Sequence, residues 1–359
     1  MTTELTALEA RRLRRQAHLL AGSELAPAAV VDRAVALQGQ DLPAVLRAIA
    51  IRSRPATTVA DVRAAFDAGE LVRSWPMRGT LFVTTPERLA TLLHFTAERT
   101  HRAAVRRRAQ LGLDDDVLAR AHDVLGEALA ERPLRRDEAL ATWEKAGIAT
   151  AAGRGYHLLM HLCVDGLAHW GPFADGESEQ LLTLTTTAPP DDPEAALADV
   201  VRDFVRARGP VTEADLAWWT KLPRSTLRRA AAAVDDLVEV SVAGSPAWVV
   251  GEIVGESDAP GPGGVTLVPG FDEWILGYAD RSLVASPAVL AALVPGGNGV
   301  FRPAVLVDGV VVGTWRPARS GRPGRPGRTA SEPVVELVEQ VSAATRRAID
   351  RAVAAWPHG

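Results

Sequence analysis

Two stretches of the chain repeat one pattern. Residues 132–143 read RPLRRDEALATW, and residues 209–219 read GPVTEADLAWW. In each stretch a turn with proline leads through acidic side chains into an apolar run that ends in tryptophan, and this order predicts a helix. Because the same kind of segment recurs, we interpret it as the opening of a repeated structural unit.

A second recurring feature lies downstream, where an acidic and apolar turn runs into a pair of strands near Val72, Ala168 and Leu237. A further helix precedes each turn, starting near Gly153 in the second unit and near Pro223 in the third. Helix, turn, helix and hairpin is the winged-helix arrangement, and the later helix would face a DNA groove. The sequence therefore predicts an α+β protein with three tandem winged-helix units.

The chain after about residue 259 has a different composition. We expect a strand at 265–270, a short helix capped by Asp272, and a hairpin at 304–315 with Asp308-Gly309 at its turn. These features predict a C-terminal β-rich domain. The predicted domains are the first winged helix in 1–95, a helical linker in 96–128, the second winged helix in 129–189, the third in 190–258, and the β-rich domain in 259–359.

Composition narrows the class of protein. The hydrophobic fraction of 47% and the charged fraction of 23% are typical of globular proteins, and no apolar run approaches membrane-spanning length. The single cysteine, Cys163, excludes an internal disulfide framework. We therefore expect a reduced, cytoplasmic, nucleoid-associated protein. A net charge of −4 argues against wholesale coating of nucleic acid, and Lys145 and Lys221 are the only lysines among the 40 basic residues.

Gln38-Gly39-Gln40 closes an apolar run, residues 30–37, that reads as a helix. Two amides cannot act as a strong acid, base or nucleophile, but they can hold a water and direct carbonyl dipoles at a developing positive charge. By itself the tripeptide also fits a polar surface turn. We interpret the following Asp41 as an aspartate at a helix end or turn.

Several longer stretches carry a family resemblance. They are residues 37–40 (LQGQ), 75–81 (WPMRGTL), 269–281 (PGFDEWILGYADR) and 302–309 (RPAVLVDG). Together they resemble the AlkZ-like family of bacterial winged-helix DNA glycosylases, which remove alkylated purines and unhook interstrand crosslinks. The resemblance spans roughly residues 8–315 and implies three winged helices and a C-terminal β-domain around a DNA channel.

The resemblance also implies the catalytic residues. The family's motif is two glutamines flanking a small or aliphatic residue, and it matches Gln38 and Gln40. A related branch has aspartate as its second motif residue, so Gln40 is similar to the two-glutamine branch. The chain departs from the pattern at Gly39, where a side chain is expected, and at Phe82, where many relatives have histidine.

Two amides suffice if the leaving group is already a cation. An N-alkylated purine departs as a neutral base, so the protein needs only to stabilise an oxocarbenium-like sugar and supply water. Lys145 and Lys221 are far in sequence from Gln38, which predicts a monofunctional glycosylase without a covalent amine intermediate. We expect no cofactor and no metal, and a monomer that acts on double-stranded DNA carrying alkylated purines, with no membrane partner.

Further residues are expected to contact DNA from the first hairpin, the later helices of the other two units and an arginine-rich segment. They are Met77, Arg78, Thr80, Arg154, His157, Lys221, Arg224, Ser225, Arg228, Arg316, Arg319 and Arg322. Arg78 also fits an ordinary exposed turn, and the arginine-rich segment also fits a soluble linker. His157, His161 and Asp165 share one helix face, for which we favour a structural or phosphate-facing role over metal binding.

Two other functions remain compatible with the sequence. A transcription regulator would prefer one duplex sequence and be indifferent to alkylation. A non-catalytic protein that shields lesions would bind damaged DNA and release nothing.

Overall fold

The computed structural model describes residues 2–174, 178–251, 264–316 and 332–357. Arg319 and Arg322 lie outside the described residues. The fold mixes helices with three sheets, which confirms the predicted α+β class. None of the described helices is long and apolar enough to cross a membrane.

The first part of the chain ends in the first predicted hairpin. Its elements are β1 (Thr3–Leu5), α1 (Ala7–Ala17), α2 (Pro27–Arg33), β2 (Leu37–Gln38), α3 (Leu42–Ala50), α4 (Val59–Asp67), β3 (Val72–Met77) and β4 (Thr80–Thr84). The predicted helix over residues 30–37 is too long, because α2 ends at Arg33 and Val35 has a φ of 65°. Gln38 therefore lies on a short strand rather than at a helix end.

The middle of the chain is built around a second hairpin. Its elements are α5 (Pro86–Gln110), α6 (Asp115–Glu131), α7 (Arg136–Lys145), α8 (Arg154–Val164), β5 (Ala168–Phe173) and β6 (Gln180–Leu184). Leu134, just before α7, forms a β-bridge with Leu182. Trp143 of α7 is fully buried and donates its indole N–H to the Ala121 carbonyl at 2.9 Å, which packs α6 against α7.

The next part repeats that connectivity. Its elements are α9 (Pro193–Arg208), α10 (Glu213–Thr220), α11 (Arg224–Ala232), β7 (Leu237–Val242) and β8 (Ser245–Val250). Val211 bridges to Trp248 just before α10, as Leu134 bridges to Leu182 before α7. The hydroxyl of Thr212 and the carboxylate of Asp215 cap α10 reciprocally.

The C-terminal part is a four-stranded antiparallel sheet with helices. Its elements are β9 (Val265–Val268), α12 (Glu273–Leu276), α13 (Pro287–Leu293), a 3₁₀ turn (Pro295–Gly297), β10 (Ala304–Val307), β11 (Val310–Arg316), β12 (Val334–Leu337) and α14 (Ala343–Ala354). The strand order is β12-β11-β10-β9. The turn at Asp308-Gly309 and the Asp272 cap, which accepts from the Trp274 N–H at 2.9 Å, are confirmed.

The parts share sheets and cores. The first two hairpins and β2 form one five-stranded sheet in the order β2-β4-β3-β5-β6, and the two hairpins are joined where Arg73 pairs with Trp170. One core cluster contains Val35 and Phe82 from the first part, Trp219 from the third, and Tyr278 from the C-terminal part. The turn between α2 and β2 therefore lies where three parts of the chain meet.

Candidate active site

Gln38 makes contacts through both its backbone N–H and its side-chain amide. It pairs with Phe82 across β2 and β4, and the residue is only 6% exposed. Its backbone N–H donates to Glu273 Oε1 at 3.1 Å, and its amide Nε2 lies 3.4 Å from Thr80 Oγ1. The amide Oε1 accepts from the Gly39 N–H at 3.1 Å. Gln38 is a fixed dipole rather than a mobile surface group.

Gly39 is pressed against the neighbouring strand. Its N–H donates to the Leu81 carbonyl at 2.7 Å, and its own carbonyl accepts from Arg73 Nε at 2.7 Å. A Cβ at this position would lie 3.0 Å from the Phe82 carbonyl carbon and 3.1 Å from the Val83 nitrogen, both backbone atoms. The glycine is therefore explained by this close approach, because a side chain would force the neighbouring strand to shift by a few tenths of an ångström.

Gln40 differs from Gln38 in exposure. Its side chain is exposed, and its Oε1 lies 3.4 Å from the Leu81 N–H, a long contact that leaves the amide free to turn. Asp41 caps α3 by accepting from the Ala44 N–H at 3.0 Å, which confirms it as a helix-end aspartate. One amide of the pair is thus fixed and the other faces solvent.

Glu273 is the buried charge that organises this site. It is 2% exposed and accepts from the Gln38 N–H at 3.1 Å, from Arg208 Nη2 at 2.9 Å and from Trp219 Nε1 at 3.0 Å. Arg208 is 1% exposed, and its ion pair with Glu273 offsets the desolvation free energy that burying either charge alone would cost.

Arg208 also binds the backbone of the segment that precedes Gln38. Its Nη1 and Nη2 donate to the carbonyls of Ala34 and Ala36, each at 2.9 Å. The segment that leads into Gln38 is therefore tied at three places to one buried ion pair. Arg208 is itself anchored, since its backbone carbonyl accepts from the Tyr278 hydroxyl at 2.7 Å.

The stretch after β9 brings further buried groups to the same place. Asp272 accepts two hydrogen bonds from Arg52, at 2.8 and 2.9 Å, with both side chains buried. His18 Nε2 lies 2.8 Å from the Tyr278 hydroxyl, and burial together with nearby arginines holds the pKa of His18 well below its ordinary value. A neutral His18 can donate to the tyrosine oxygen while the tyrosine donates to Arg208.

Three cations gather on one tryptophan beside the first hairpin turn. Arg78 Cζ lies 4.0 Å from the centroid of a Trp218 ring, and Arg281 Cζ and Lys221 Nζ lie at 5.3 and 5.4 Å. Burial lowers the pKa of Arg78 from its ordinary value. Its Nη1 is buried and has no hydrogen-bond acceptor among the described residues. Such a group of cations suits an anion such as phosphate.

The predicted hairpin residues are placed differently from one another. Arg78 occupies the turn, with a φ of 59°, as expected. Met77 is 1% exposed and belongs to the core cluster of Phe82 and Trp219, which contradicts the expectation that it contacts DNA from the first hairpin. Its side chain points inward because it ends β3 on the packed face. Thr80 is half-buried and faces the amide of Gln38.

The other described candidates already have partners within the protein. Arg154 donates to the carbonyls of Leu111, of Gly112 at 3.1 Å and of Ala149 at 2.8 Å, and so fixes the end of α5. Arg224 and Arg228 pair with Glu213 at 3.6 and 2.7 Å.

Arg316 pairs with Glu336 at 3.5 Å. Lys221 and Ser225 are exposed, and His157 is half-buried beside Tyr156. The structure therefore brings Thr80 against Gln38 and places Arg78 and Lys221 on the same Trp218 ring.

Several residues of the site were missed by sequence reasoning. Arg73, Arg208 and Glu273 hold the Gln38 segment from 34 to 235 positions away in the chain. Glu273 did lie within the 269–281 stretch, and Trp218 within the repeated pattern, but nothing local indicated their partners.

Comparison with known proteins places the chain in a family. The family described as DNA glycosylase AlkZ-like matches residues 31–357, which is most of the chain. The protein therefore belongs to the AlkZ-like DNA glycosylase family.

Among individual relatives, the chain is similar to an interstrand DNA cross-link repair glycosylase from Streptomyces sahachiroi. They are 32% identical over 129 residues, and the match spans 34% of this chain and 35% of that relative. The fold resembles the solved structure of Streptomyces sahachiroi DNA glycosylase AlkZ, with a TM-score of 0.80 at 22% identity, covering 99% of this chain and 97% of that one.

Proposed function

We propose that the protein is a monofunctional DNA glycosylase that hydrolyses the N-glycosidic bond of N-alkylated, cationic purines and can unhook interstrand crosslinks. Membership of the family and the name of the similar relative support a glycosylase acting on DNA. The observation that carries the proposal is the glutamine pair, one amide fixed by a buried ion pair and the other exposed, beside the cations on Trp218.

The chemistry follows from the charge of the leaving group. The alkylated purine takes the bonding electrons and departs neutral, so no acid is needed, and positive charge develops on the sugar. The carbonyl oxygens of Gln38 and Gln40 stabilise that charge and hold the water that attacks the sugar from the opposite side. The water oxygen forms the new bond to the anomeric carbon, and the proton that it loses passes to solvent. A preorganised dipole of this kind is worth on the order of 10²–10³ in rate.

The two amides divide this work according to their surroundings. Gln38 is buried, and its Oε1 accepts from the Gly39 N–H at 3.1 Å, so it supplies a dipole that does not reorganise. Gln40 is exposed and can turn to meet the sugar or the water once DNA is bound. Normal purines would be spared, because a neutral base needs a proton that neither amide can give.

Three parts of the chain share one order of elements, namely a helix, a short strand or β-bridge, two further helices and a hairpin. This repetition supports an interpretation as tandem winged helices that surround the duplex. The first contains β2 pairing with β4, and the other two contain the bridges at Leu134 and Val211 in the equivalent place. In this interpretation α8 and α11 face DNA, and the Arg78 turn probes the duplex beside the lesion.

The first test is release of 7-methylguanine from an alkylated duplex, measured by mass spectrometry of the free base. We expect release from every flanking sequence tested and no release from unmodified DNA. Tight binding to damaged DNA without release would indicate a shielding protein. Preference for one sequence regardless of alkylation would indicate a regulator, and either result would overturn the proposal.

A second test concerns the absence of an amine nucleophile. Lys221 is the lysine to examine, because its ammonium shares Trp218 with Arg78. We expect borohydride to trap no covalent complex during excision, in the wild type or in Lys221→Arg, and the abasic strand to stay uncut. A trapped complex that disappears in Lys221→Arg would show a lyase step and contradict monofunctional hydrolysis.

A further inference from the structure

A second group of chemically active side chains lies on the face where α5 meets α8, apart from the glutamines. It consists of His101 on α5 and His161 and Asp165 on and just after α8. One ligand atom from each residue lies within 4.8 Å of the others. The third member of the group is therefore His101 from α5, rather than His157 from the same face of α8.

The spacing within the group fits one shared cation. His101 Nε2 lies 2.8 Å from Asp165 Oδ1, and His161 Nε2 lies 3.4 Å from Asp165 Oδ2. Ligands at about 2.0–2.1 Å around a tetrahedral Zn²⁺ are separated by about 3.3 Å, so the two imidazole–carboxylate distances are close to what one ion needs. The widest separation in the group, up to 4.8 Å, has to shorten when the ion binds. The two imidazole rings are 4.4 Å apart between centroids and inclined by 59°, so both rings reach the same carboxylate.

The contacts inside the protein leave the group incompletely satisfied. His101 Nε2 is buried but makes no well-aligned hydrogen bond with a described residue, although the Asp165 oxygen is 2.8 Å away. Arg108 lies beside the group, where its Nη1 donates to the His101 carbonyl at 3.1 Å.

Solvent has access to the group. The Asp165 side chain is 41% exposed, while His101 and His161 are 21% and 13% exposed. Two half-buried imidazoles and one accessible carboxylate leave a position open for water, as three-ligand zinc sites do.

We propose that His101, His161 and Asp165 form a binding site for a late first-row divalent cation, with Zn²⁺ as the expected metal. Two imidazoles and a carboxylate are ligands that Zn²⁺ accepts readily. The bound ion would tie α5 to the helix α8. The site is independent of the glycosylase chemistry and requires nothing of Gln38 or Gln40.

The test uses the full chain after treatment with a chelator, titrated with Co²⁺ and then Zn²⁺. We expect visible Co²⁺ absorption of four- or five-coordinate strength that one equivalent of Zn²⁺ removes. His101→Ala, His161→Ala and Asp165→Asn should weaken Zn²⁺ binding at least about tenfold, since even outer-shell changes cost 10–100-fold. His157→Ala, on the same helix but outside the group, is the matched control and should bind as the wild type does.

Thermal unfolding keeps the result interpretable if a variant folds poorly. Zn²⁺ should raise the melting temperature of the wild type and of His157→Ala but leave Asp165→Asn unchanged, because a ligand stabilises only the state that binds it. Failure of the wild type to retain Zn²⁺ in equilibrium dialysis would overturn the proposal. So would an unchanged Zn²⁺ affinity in folded His101→Ala.

Discussion

Gln38 on β2 and Arg228 on α11 sit in opposite surroundings. Gln38 is 6% exposed, and its backbone is bonded to a glutamate 235 positions away. Arg228 is 65% exposed at its side chain and is bonded to Glu213 within the same part of the chain. The first arrangement exists before DNA arrives, whereas an exposed ion pair is weak enough to exchange its carboxylate for a phosphate. Under the proposed function, this difference separates a region that positions the reacting groups from one that binds the duplex.

The largest effect should come from removing the buried carboxylate behind Gln38. Glu273→Ala leaves Arg208 buried without its partner and frees the Gln38 N–H, which should cost about 3–5 kcal/mol of unfolding free energy. Urea denaturation measures it. Glu336→Ala removes a glutamate that pairs with arginine on the surface and should change stability by about 0.5 kcal/mol or less. Equal unfolding midpoints for the two variants would contradict the conclusion that Glu273 stabilises the structure around Gln38.

An intermediate effect should follow from filling the space at Gly39. In Gly39→Ala the new Cβ meets backbone atoms of Phe82 and Val83 at 3.0–3.1 Å, so β2 and β4 must separate. We expect a loss of about 1–3 kcal/mol in stability and slower excision.

The matched control for that variant is Gly126→Ala inside α6, where the nearest atom to the new Cβ is a leucine methyl at 3.8 Å. This change should stabilise the protein by about 0.5–1 kcal/mol. If Gly39→Ala were as stable and as active as Gly126→Ala, the close approach of the two strands would have no consequence.

A smaller effect, confined to binding, is expected on α11. Arg228→Ala should weaken duplex binding by the same factor for all sequences and reduce the slope of log K against log salt concentration by about one. The rate of base release from the bound complex should not change. Fluorescence anisotropy over a salt series measures the slope. Arg346→Ala, an exposed arginine paired with Asp350 on α14, is the control and should leave the slope unchanged. A slower chemical step in Arg228→Ala would erase the proposed separation between the two regions.

Much of the fold could be predicted from sequence because its signals are local. The hairpin at Asp308-Gly309, the Asp272 cap and the starts of α8 and α11 follow from turn and capping residues that act within a few positions. The end of α2 could not be predicted from local sequence. Val35 has a positive φ between Ala34 and Ala36, whose carbonyls accept hydrogen bonds from Arg208, and Arg208 is distant in the sequence.

The candidate site was predictable only in part for the same reason. Gln38 and Gln40 stood out by type and by family resemblance, but Arg73, Arg208 and Glu273 reach them from other parts of the chain. The inward side chain of Met77 depends on the packing of β3 against the third unit, which the turn sequence alone does not specify. Long-range contacts, rather than local propensity, decided each of these positions.

The most direct test of the account is the single-turnover rate of 7-methylguanine release at saturating protein for wild type, Gln38→Ala and Gln40→Ala. Gln110→Ala, an exposed glutamine at the end of α5, serves as the control. We predict a loss on the order of 10²–10³ in rate for each motif variant, with duplex affinity unchanged, and wild-type behaviour for Gln110→Ala. Equal rates for all four proteins would contradict the catalytic role of the glutamine pair.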